Sequence, residues 1–457
     1  MELIVEHIRT LFTILRLYRL SKKAIVSFQD RRVRKIVDYA YRKVPYYRSL
    51  FDKHGITPAQ IKGLEDLERI PISSREDYMG EPLGQMISKD KKAVRLKKIR
   101  TSGSAGKPLT IAYSRMEGLL LSLMGIRIRH YYGKRMWDNG AIVTYVRRSS
   151  EATEPLLKRI AGTVGLYRSK IVDCSRQPDE IYHSLVKYRP LWLGGYAGSI
   201  AFVADWMLER GLKPWKVKAV SVGGEVLTDK MRERITRAFN APVFQGYGSH
   251  EFDIIAWQCK EADLFHVMET NVIVEVIKED GSDALPGEEG EMVGTSLSRF
   301  SMPFIRYRLG DIVTWGGETC SCGGAYGTIR KVQGRKIDTF ILPDGRSFHP
   351  YRISETFVYT ADWVRQYSLV QEKPDRIVLY VVPFYHPPLE ERERIRQEAR
   401  ALLGAEIDFQ IVFVAEIERG PGGKFHVSRS LVTRARACKN LCLYFQDPAT
   451  SRFSCIV

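Results

Sequence analysis

Short apolar runs alternate with stretches of helical spacing from about residue 95 onward, and this alternation restricts the chain to an α/β core, with sheets covered by helices. Residues 141–146, 217–222 and 242–244 are apolar runs of strand length, while residues 199–209 and 229–239 carry apolar side chains at helical spacing. Residues 271–315 read as richer in strands: 272–277, 291–296 and 311–315, with the turn Glu279-Asp280-Gly281 after the first. Past residue 338 a small α/β unit is expected. Residues 367–372 and 376–382 form a hairpin around Lys373-Pro374-Asp375, residues 388–403 a helix and residues 409–414 a strand. Upstream, residues 5–55 read as helices through Ile25, Val26, Phe28, Val33, Ile36, Val37 and Ala40. Ser73 or Ser74 is expected to cap a further helix, supported by Glu76 or Asp77.

With 457 residues the chain is too long for one core and is expected to form two or three domains. Hydrophobic residues at 44% and charged residues at 27% match a soluble globular protein, and no run reaches the roughly 18 apolar residues of a membrane span. Glu2, Glu6, Arg9, Arg16 and Arg19 interrupt the apolar N-terminus, which argues against a secretory signal and for a cytoplasmic location. Seven scattered cysteines do not suggest a disulfide framework. The net charge is +18, and the first 100 residues alone hold 23 Lys and Arg against 12 Asp and Glu, a net +11. Such an excess attracts polyanions, among them ATP, pyrophosphate, coenzyme A, nucleic acid and anionic lipid; it serves equally as plain solubilising charge.

Four motifs carry chemistry. Thr101-Ser102-Gly103-Ser104-Ala105-Gly106-Lys107-Pro108 gathers hydroxyls, glycines and one lysine, a composition suited to a phosphate but without Walker A spacing. Val222-Gly223-Gly224-Glu225 and Gly246-Tyr247-Gly248-Ser249-His250-Glu251 sit where strands end, the edge at which α/β sheets bind ligands. Tyr247 offers a flat face for a base and Glu251 a hard oxygen for Mg²⁺. Ile305-Arg306-Tyr307-Arg308-Leu309-Gly310-Asp311 sets an acid after a tight turn, where it can accept the hydroxyls of a ribose. Each motif alone also reads as an ordinary loop or salt-bridged turn.

The order of these motifs, followed by Gly334-Arg335-Lys336-Ile337-Asp338 and Gly422-Gly423-Lys424, resembles the adenylate-forming acyl- and aryl-CoA synthetase superfamily. Val44-Pro45-Tyr46-Tyr47-Arg48, Leu64-Glu65-Asp66-Leu67 and Ile70-Pro71-Ile72 bring it nearest to the phenylacetate-CoA ligase family, capsular-polysaccharide-locus relatives included. The resemblance spans about residues 30 to 430. It implies a large multi-sheet adenylating domain with a small mobile α+β C-terminal lid: a helical region 1–95, a core 96–337 with the ATP and acyl sites, a lid 338–430 and a basic tail 431–457. It implies ATP-dependent activation of an aryl or arylacetic acid to an acyl-adenylate, then transfer to coenzyme A.

Residue by residue, the resemblance gives Ser102, Gly103, Ser104, Gly106 and Lys107 to a loop over the phosphates. Gly223, Gly224 and Glu225 line the adenine pocket, Tyr247 with Gly248 stacks on the base, Glu251 binds Mg²⁺, and Asp311 and Arg335 contact the nucleotide. Asp338 is the hinge and Lys424 the catalytic lysine, which makes Lys424, Glu251 and Lys107 the catalytic set. Tyr196 and His250 fall near the acyl pocket; Tyr196 equally suits a core role, and His250 stands where a small hydroxyl residue is common, leaving the preferred acid open.

Cys259, His266, Cys320 and Cys322, the last two followed by Gly323-Gly324, make a complete tetrahedral set for Zn²⁺. Some relatives look similar here and carry a structural zinc, and four protein ligands leave no open position, so the expected role is structural; free thiols and a surface histidine are the alternative. The resemblance is compatible with a homodimer, and the basic N-terminal region with peripheral contact to a membrane; no nucleic acid is expected. Two further readings stay open: an adenylating ligase whose acceptor is an amine, a hydroxyl or a carrier-protein thiol, and a basic polyanion-binding protein with a silent ligase site.

Overall fold

Helices return the chain to the same edge after each strand in the middle of the sequence, so the strands there run parallel. The computed structural model describes residues 20–90, 95–100, 109–146, 166–335, 340–348, 350–358, 361–418 and 427–432. The chain divides into a first unit, whose described part lies within residues 20–334, and a second whose described part lies within residues 335–418 and 427–432. No helix among the described residues is long and apolar enough to cross a membrane.

The first unit opens with the helices Lys22–Lys43 and Pro45–Lys53. Ser21 caps the first, accepting the Ala24 N–H. Val44 is extended because it precedes a proline, so the helix stops there and Pro45 begins the next one. A ribbon follows, β1 (Lys97–Arg100) against β2 (Thr110–Tyr113). The main sheet holds β3 (Gly140–Thr144), β4 (Ser169–Asp173), β5 (Trp192–Tyr196), β6 (Ala219–Gly223), β7 (Val243–Ser249), β8 (Asp253–Gln258), β9 (Phe265–Val267), β10 (Val272–Ile277), β11 (Glu289–Ser296), β12 (Tyr307–Gly317) and β13 (Thr328–Arg335). Their order is 10-11-12-13-9-8-7-6-5-3-4, one hydrogen-bonded run of eleven strands. From β4 across to β7 the pairs are parallel. At β7–β8 the direction reverses, and β8–β9, β9–β13, β11–β12 and β10–β11 are antiparallel.

Helices Pro178–Tyr188, Ala197–Glu209 and Asp229–Phe239 cover the parallel strands. Ile181, Val203 and Ile235 pack with Val143, Leu193 and Val220 in one core. The N-terminal helices lie on the antiparallel half, where Phe28, Ile36, Val37 and Phe51 meet Ile273, Leu297 and Ile305. The Val-Pro-Tyr-Tyr-Arg motif has a structural use here. The Tyr47 hydroxyl accepts the Ile305 N–H at 2.8 Å, while Tyr78 donates to the Pro303 carbonyl at 3.0 Å. Ser73 pairs in parallel with Tyr307 through Ser73 N–H to Arg306 O at 2.9 Å and Arg308 N–H to Ser73 O at 2.8 Å. The N-terminal segment thus fixes the strand that carries Asp311. Ser74, of the two expected serines, is the cap of the short helix Arg75–Gly80, with Asp77 completing a capping box.

In the second unit β14 (Phe340–Ile341) pairs with β15 (Ser347–Phe348). A four-stranded sheet follows, from β16 (Val364–Lys373), β17 (Arg376–Pro383), β18 (Asp408–Phe413) and β19 (Ser428–Ser430), in the order 18-17-16-19. β16 and β17 form the expected hairpin. The helix Leu389–Leu403 buries Ile395, Ala399 and Leu403 against Ile377, Leu379 and Phe409.

One buried acid staples the first unit. Glu117, 2% exposed, lies in the first turn of the helix Arg115–Tyr131. Its carboxylate accepts the amides of Phe300 at 2.7 Å, Ser301 at 2.8 Å and Ser114 at 2.6 Å, and the Ser301 hydroxyl at 2.6 Å. Glu117→Gln puts an amide donor where donors already converge, so it should lower stability by about 3 kcal/mol. Urea unfolding followed by tryptophan fluorescence measures this; an unchanged midpoint would show that the acid is dispensable.

Candidate functional site

The C-terminal ends of β5, β6 and β7 gather most of the described residues that the sequence singles out. Register sets Tyr196 opposite Gly223 and Gly223 opposite Gly246, so an aromatic and two glycines cross the edge in a row. A Cβ on Gly223 would stand 3.0 Å from the Gly246 carbonyl oxygen, and Gly224 follows at φ +75°. Strand order reverses between β3 and β5, which is where an open sheet offers a crevice at its carboxyl edge; Tyr196 stands at its lip. Glu225 accepts the Gly198 N–H at 2.7 Å, in the first turn of the helix after β5. Its negative charge suits that helix N-terminus, and it ties the Gly-Gly-Glu loop to the Tyr196 loop.

β7 carries Tyr247 and Gly248, and its turn into β8 carries His250 and Glu251. Tyr247 donates to the Asp311 carboxylate at 2.8 Å, both residues being about 8% exposed. This bond brings together two motifs 64 residues apart. The tight turn expected before the acid is instead a break in the β11–β12 register: Gly310, at φ +84°, lies within β12 just before Asp311. The arginines of that motif have other partners. Arg306 pairs with Glu275 at 2.7 Å and also donates to the carbonyls of Glu68 and Ile70, while Arg308 meets Glu291 at 3.1 Å.

Glu251 is 2% exposed, and its Oε2 has no hydrogen-bond partner among the described residues. A bare buried carboxylate oxygen is costly unless a cation joins it, so the residue fits a divalent ion. Beside it lies Arg299, also 2% exposed. Arg299 donates to the His250 carbonyl at 3.0 Å, which steadies the turn, and lies 5.6 Å from the Tyr113 ring centroid. Burial pushes its guanidinium down, while Asp253, Glu117 and Glu251 hold it charged.

His250 itself is exposed. Ser102, Gly103, Ser104, Gly106, Lys107, Asp338 and Lys424 lie outside the described residues. Arg335 ends β13, and its backbone alone is described. Sequence reasoning missed Glu117 and Arg299. Ser114-Arg115-Met116-Glu117 before an apolar run is a capping-box signature that could have revealed the acid; no local signal marks Arg299.

The four metal-ligand candidates do meet. The ligand atoms of Cys259, His266, Cys320 and Cys322 all lie within 4.8 Å of one another. Sγ of Cys320 and Cys259 are 3.8 Å apart. Two sulfurs bound at about 2.3 Å to one tetrahedral zinc would stand about 3.8 Å apart. Cys322 Sγ is 3.4 Å from His266 Nε2. Burial pushes the His266 imidazole down, which keeps it neutral with a lone pair to offer. Burial opposes ionising Cys259, yet the amides of Glu261 and Ala262 together with the Cys322 and Cys320 thiols outweigh it and pull the thiol below its ordinary value. Burial raises Cys322 to about 12, with the neighbouring thiols adding to it. A cation would relieve that crowding.

Comparison with known proteins agrees with this architecture. Residues 340–430 match the family model described as the CapK C-terminal domain. The chain is 23% identical over 446 residues to a phenylacetate-coenzyme A ligase of Thermus thermophilus, covering 89% of this chain and 96% of that one. It is 23% identical over 413 residues to Protein CapK of Staphylococcus aureus, covering 88% of each. Among solved structures, 2-hydroxyisobutyryl-CoA ligase in complex with 2-HIB-AMP superposes with a TM-score of 0.72 at 22% identity, over 92% of this chain and 91% of that one. An anthranilate CoA ligase in complex with anthranoyl-AMP gives 0.55 at 13% identity, over 79% and 74%.

The β7–β8 turn leaves no room for a side chain at Gly248, where a Cβ would sit 2.1 Å from the Asp253 carbonyl oxygen; at Gly246 a Cβ meets nothing within 4 Å. Gly248→Ala should therefore cost more than about 2 kcal/mol, and Gly246→Ala less than about 1 kcal/mol. Thermal melts of the pair test this, and equal losses would contradict the register described.

Proposed function

We propose that this chain, a relative of phenylacetate-CoA ligases and CapK with the fold of adenylate-forming CoA ligases, activates a carboxylic acid with ATP and passes the acyl group to coenzyme A. The observation that carries the reading is the Tyr247–Asp311 hydrogen bond at the carboxyl edge of the sheet, one turn from the buried Glu251. It gives a nucleotide a flat ring to stack on and an acid for its ribose.

The first step joins a carboxylate oxygen to the α-phosphorus of ATP and breaks the bond to pyrophosphate, which leaves. In the second, the coenzyme A sulfur attacks the acyl carbonyl and AMP leaves with the carboxyl-derived oxygen. Both reactants of the first step are anions, so positive charge must stand where they meet. Lys107 and Lys424 are the assigned sources. Glu251 would hold Mg²⁺, which offsets phosphate charge. Gly223, Gly224 and Glu225 line the base pocket, and Tyr196 and His250 border the acid. Ser102, Gly103, Ser104 and Gly106 cradle the phosphates, Arg335 contacts the nucleotide, and Asp338 serves as the hinge. The aryl or arylacetic preference rests on the relatives named phenylacetate-coenzyme A ligase. Soluble, cytoplasmic chemistry is the setting this reading takes.

The test is pyrophosphate release across aryl, arylacetic, fatty and amino acids, each with and without coenzyme A. The expected outcome is release with an aryl or arylacetic acid and a thioester only when coenzyme A is present. Lys424→Ala should abolish acyl-adenylate formation while sparing thiolysis of a supplied acyl-adenylate. Silence toward every acid would sink the assignment; acylation of another acceptor would redirect its second step.

The cysteine–histidine cluster supports a structural Zn²⁺, closed by Cys259, His266, Cys320 and Cys322. Elemental analysis of the purified chain should return one zinc per molecule. Cys320→Ser should lose the metal and lower the melting temperature, and a metal-free wild type of unchanged stability would refute the site.

A further inference from the structure

Parallel strands separate two sets of loops. Those leaving the strands build the candidate site, and those entering them meet at the opposite edge. The entering loops of β3, β4, β5 and β6 are joined into one face by hydrogen bonds and an ion pair. Asn139 donates to the Arg189 carbonyl at 3.2 Å and accepts the Leu191 N–H at 3.0 Å. The Tyr167 N–H reaches the Met136 carbonyl at 2.6 Å. Trp215 donates to the Pro190 carbonyl at 2.8 Å, and Lys218 pairs with Asp138 at 2.7 Å.

This face is cationic and has little acid to balance it. Arg135, Arg168, Arg189, Lys213 and Lys216 are exposed, and none forms an ion pair with a described residue. Asp138, the one acid among the described residues of these entering loops, is already held by Lys218, the Trp192 indole and the Arg135 amide. Burial chiefly, and then the neighbouring Arg129, presses the Lys134 ammonium down to about 8 against the pull of Asp138. Between the cations lies a cavity of about 380 Å³, lined by Tyr182 and Trp215 and bordered by Arg189, Lys213 and Lys216. At the adjoining tip Trp137 is 58% and Met136 41% exposed, with the Arg135 guanidinium 5.9 Å from the indole centroid. Within β4, Ile171 is 59% exposed.

We infer that this face docks on a bilayer surface carrying anionic phospholipid: the cations meet headgroup phosphates, the cavity accepts one headgroup, and Trp137 and Met136 enter the interface. A tryptophan at the tip of a basic surface suits the headgroup boundary, where an indole can be apolar on one side and hydrogen-bonded on the other. The exposed Trp137 and Met136 at the tip of this basic face favour a bilayer as the occupant, and a nucleic acid is the competing outcome of the test. Docking this way leaves the candidate site on the edge turned from the membrane, so it is independent of the proposed ligase activity.

The full chain is sedimented with vesicles of phosphatidylcholine alone and of phosphatidylcholine mixed with phosphatidylglycerol, over a range of salt. Binding is expected only to the mixed vesicles and should fall as salt rises. Lys213→Glu with Lys216→Glu should weaken it by about tenfold or more, while Lys23→Glu with Arg31→Glu on the N-terminal helix should leave it unchanged. Brominated lipid should quench the wild type more than Trp137→Phe, which reports insertion separately from charge. All substituted side chains are exposed, and circular dichroism checks each fold. Equal binding to neutral vesicles, binding that survives the Lys213/Lys216 reversal, loss caused instead by the helix reversal, quenching unchanged in Trp137→Phe, or displacement of vesicles by single-stranded RNA would each overturn the inference.

Discussion

The reversal of direction between β7 and β8 is the constraint on which the first unit depends. Up to β7 the paired strands run parallel and send their loops to one edge. β8 can double back only through a tight hairpin, and Gly248 permits it by letting the Asp253 carbonyl come within side-chain distance. That hairpin lifts Glu251 at the same edge as Tyr196 and Gly223. It also starts the antiparallel half of the sheet, which contains β12 and Asp311. The Tyr247–Asp311 bond therefore crosses from the parallel half of the sheet to the antiparallel half, and a ligand held by both residues would register the relative position of the two.

Charge explains why the turn is supported so heavily from behind. Glu117, Glu251 and Asp253 surround Arg299, three carboxylates against one guanidinium. The acids outnumber the guanidinium, and burial raises the Asp253 carboxyl, so an added cation would relieve the cluster. Glu117 cannot move toward such a cation, because four donors already hold it. Arg299 is likewise committed to the His250 carbonyl. Glu251 is the acid of the three that is both buried and left with an oxygen unpartnered among the described residues. The network thus sorts three similar side chains into different roles by their hydrogen bonds.

Much of this was legible in the sequence wherever the signal was local. The helix expected over residues 229–239 is Asp229–Phe239, and the Lys373-Pro374-Asp375 turn does join β16 to β17. Glycine-rich strand ends gave the carboxyl edge, and cysteine spacing gave four ligands that do converge. What escaped was set by tertiary contact. Arg299 lies in a run with no periodicity, and its environment comes from Tyr113, His250 and Asp253, all far from it in sequence. Short strands such as Phe265–Val267 carry too few residues to show a period. The Tyr46-Tyr47 motif marked a likeness, but its work, holding the approach to Asp311 through Ile305, appears only when the chain is folded.

The same parallel topology that collects the site also insulates it from the basic face. Asn139, Asp138 and Lys218 brace the entering loops through bonds that involve none of the residues at the carboxyl edge. Between the two edges β5 and β6 contribute only five residues each, yet their middles are packed on buried aliphatic side chains such as Leu193 and Val220. Interiors packed this densely resist small rearrangements. Charge can therefore accumulate at one end of the strands without disturbing hydrogen bonds at the other. An uncompensated cluster of cations is costly to keep on a folded protein, through mutual repulsion that nothing inside the fold relieves. Beside an exposed tryptophan, this cluster is one that an external anion would complement.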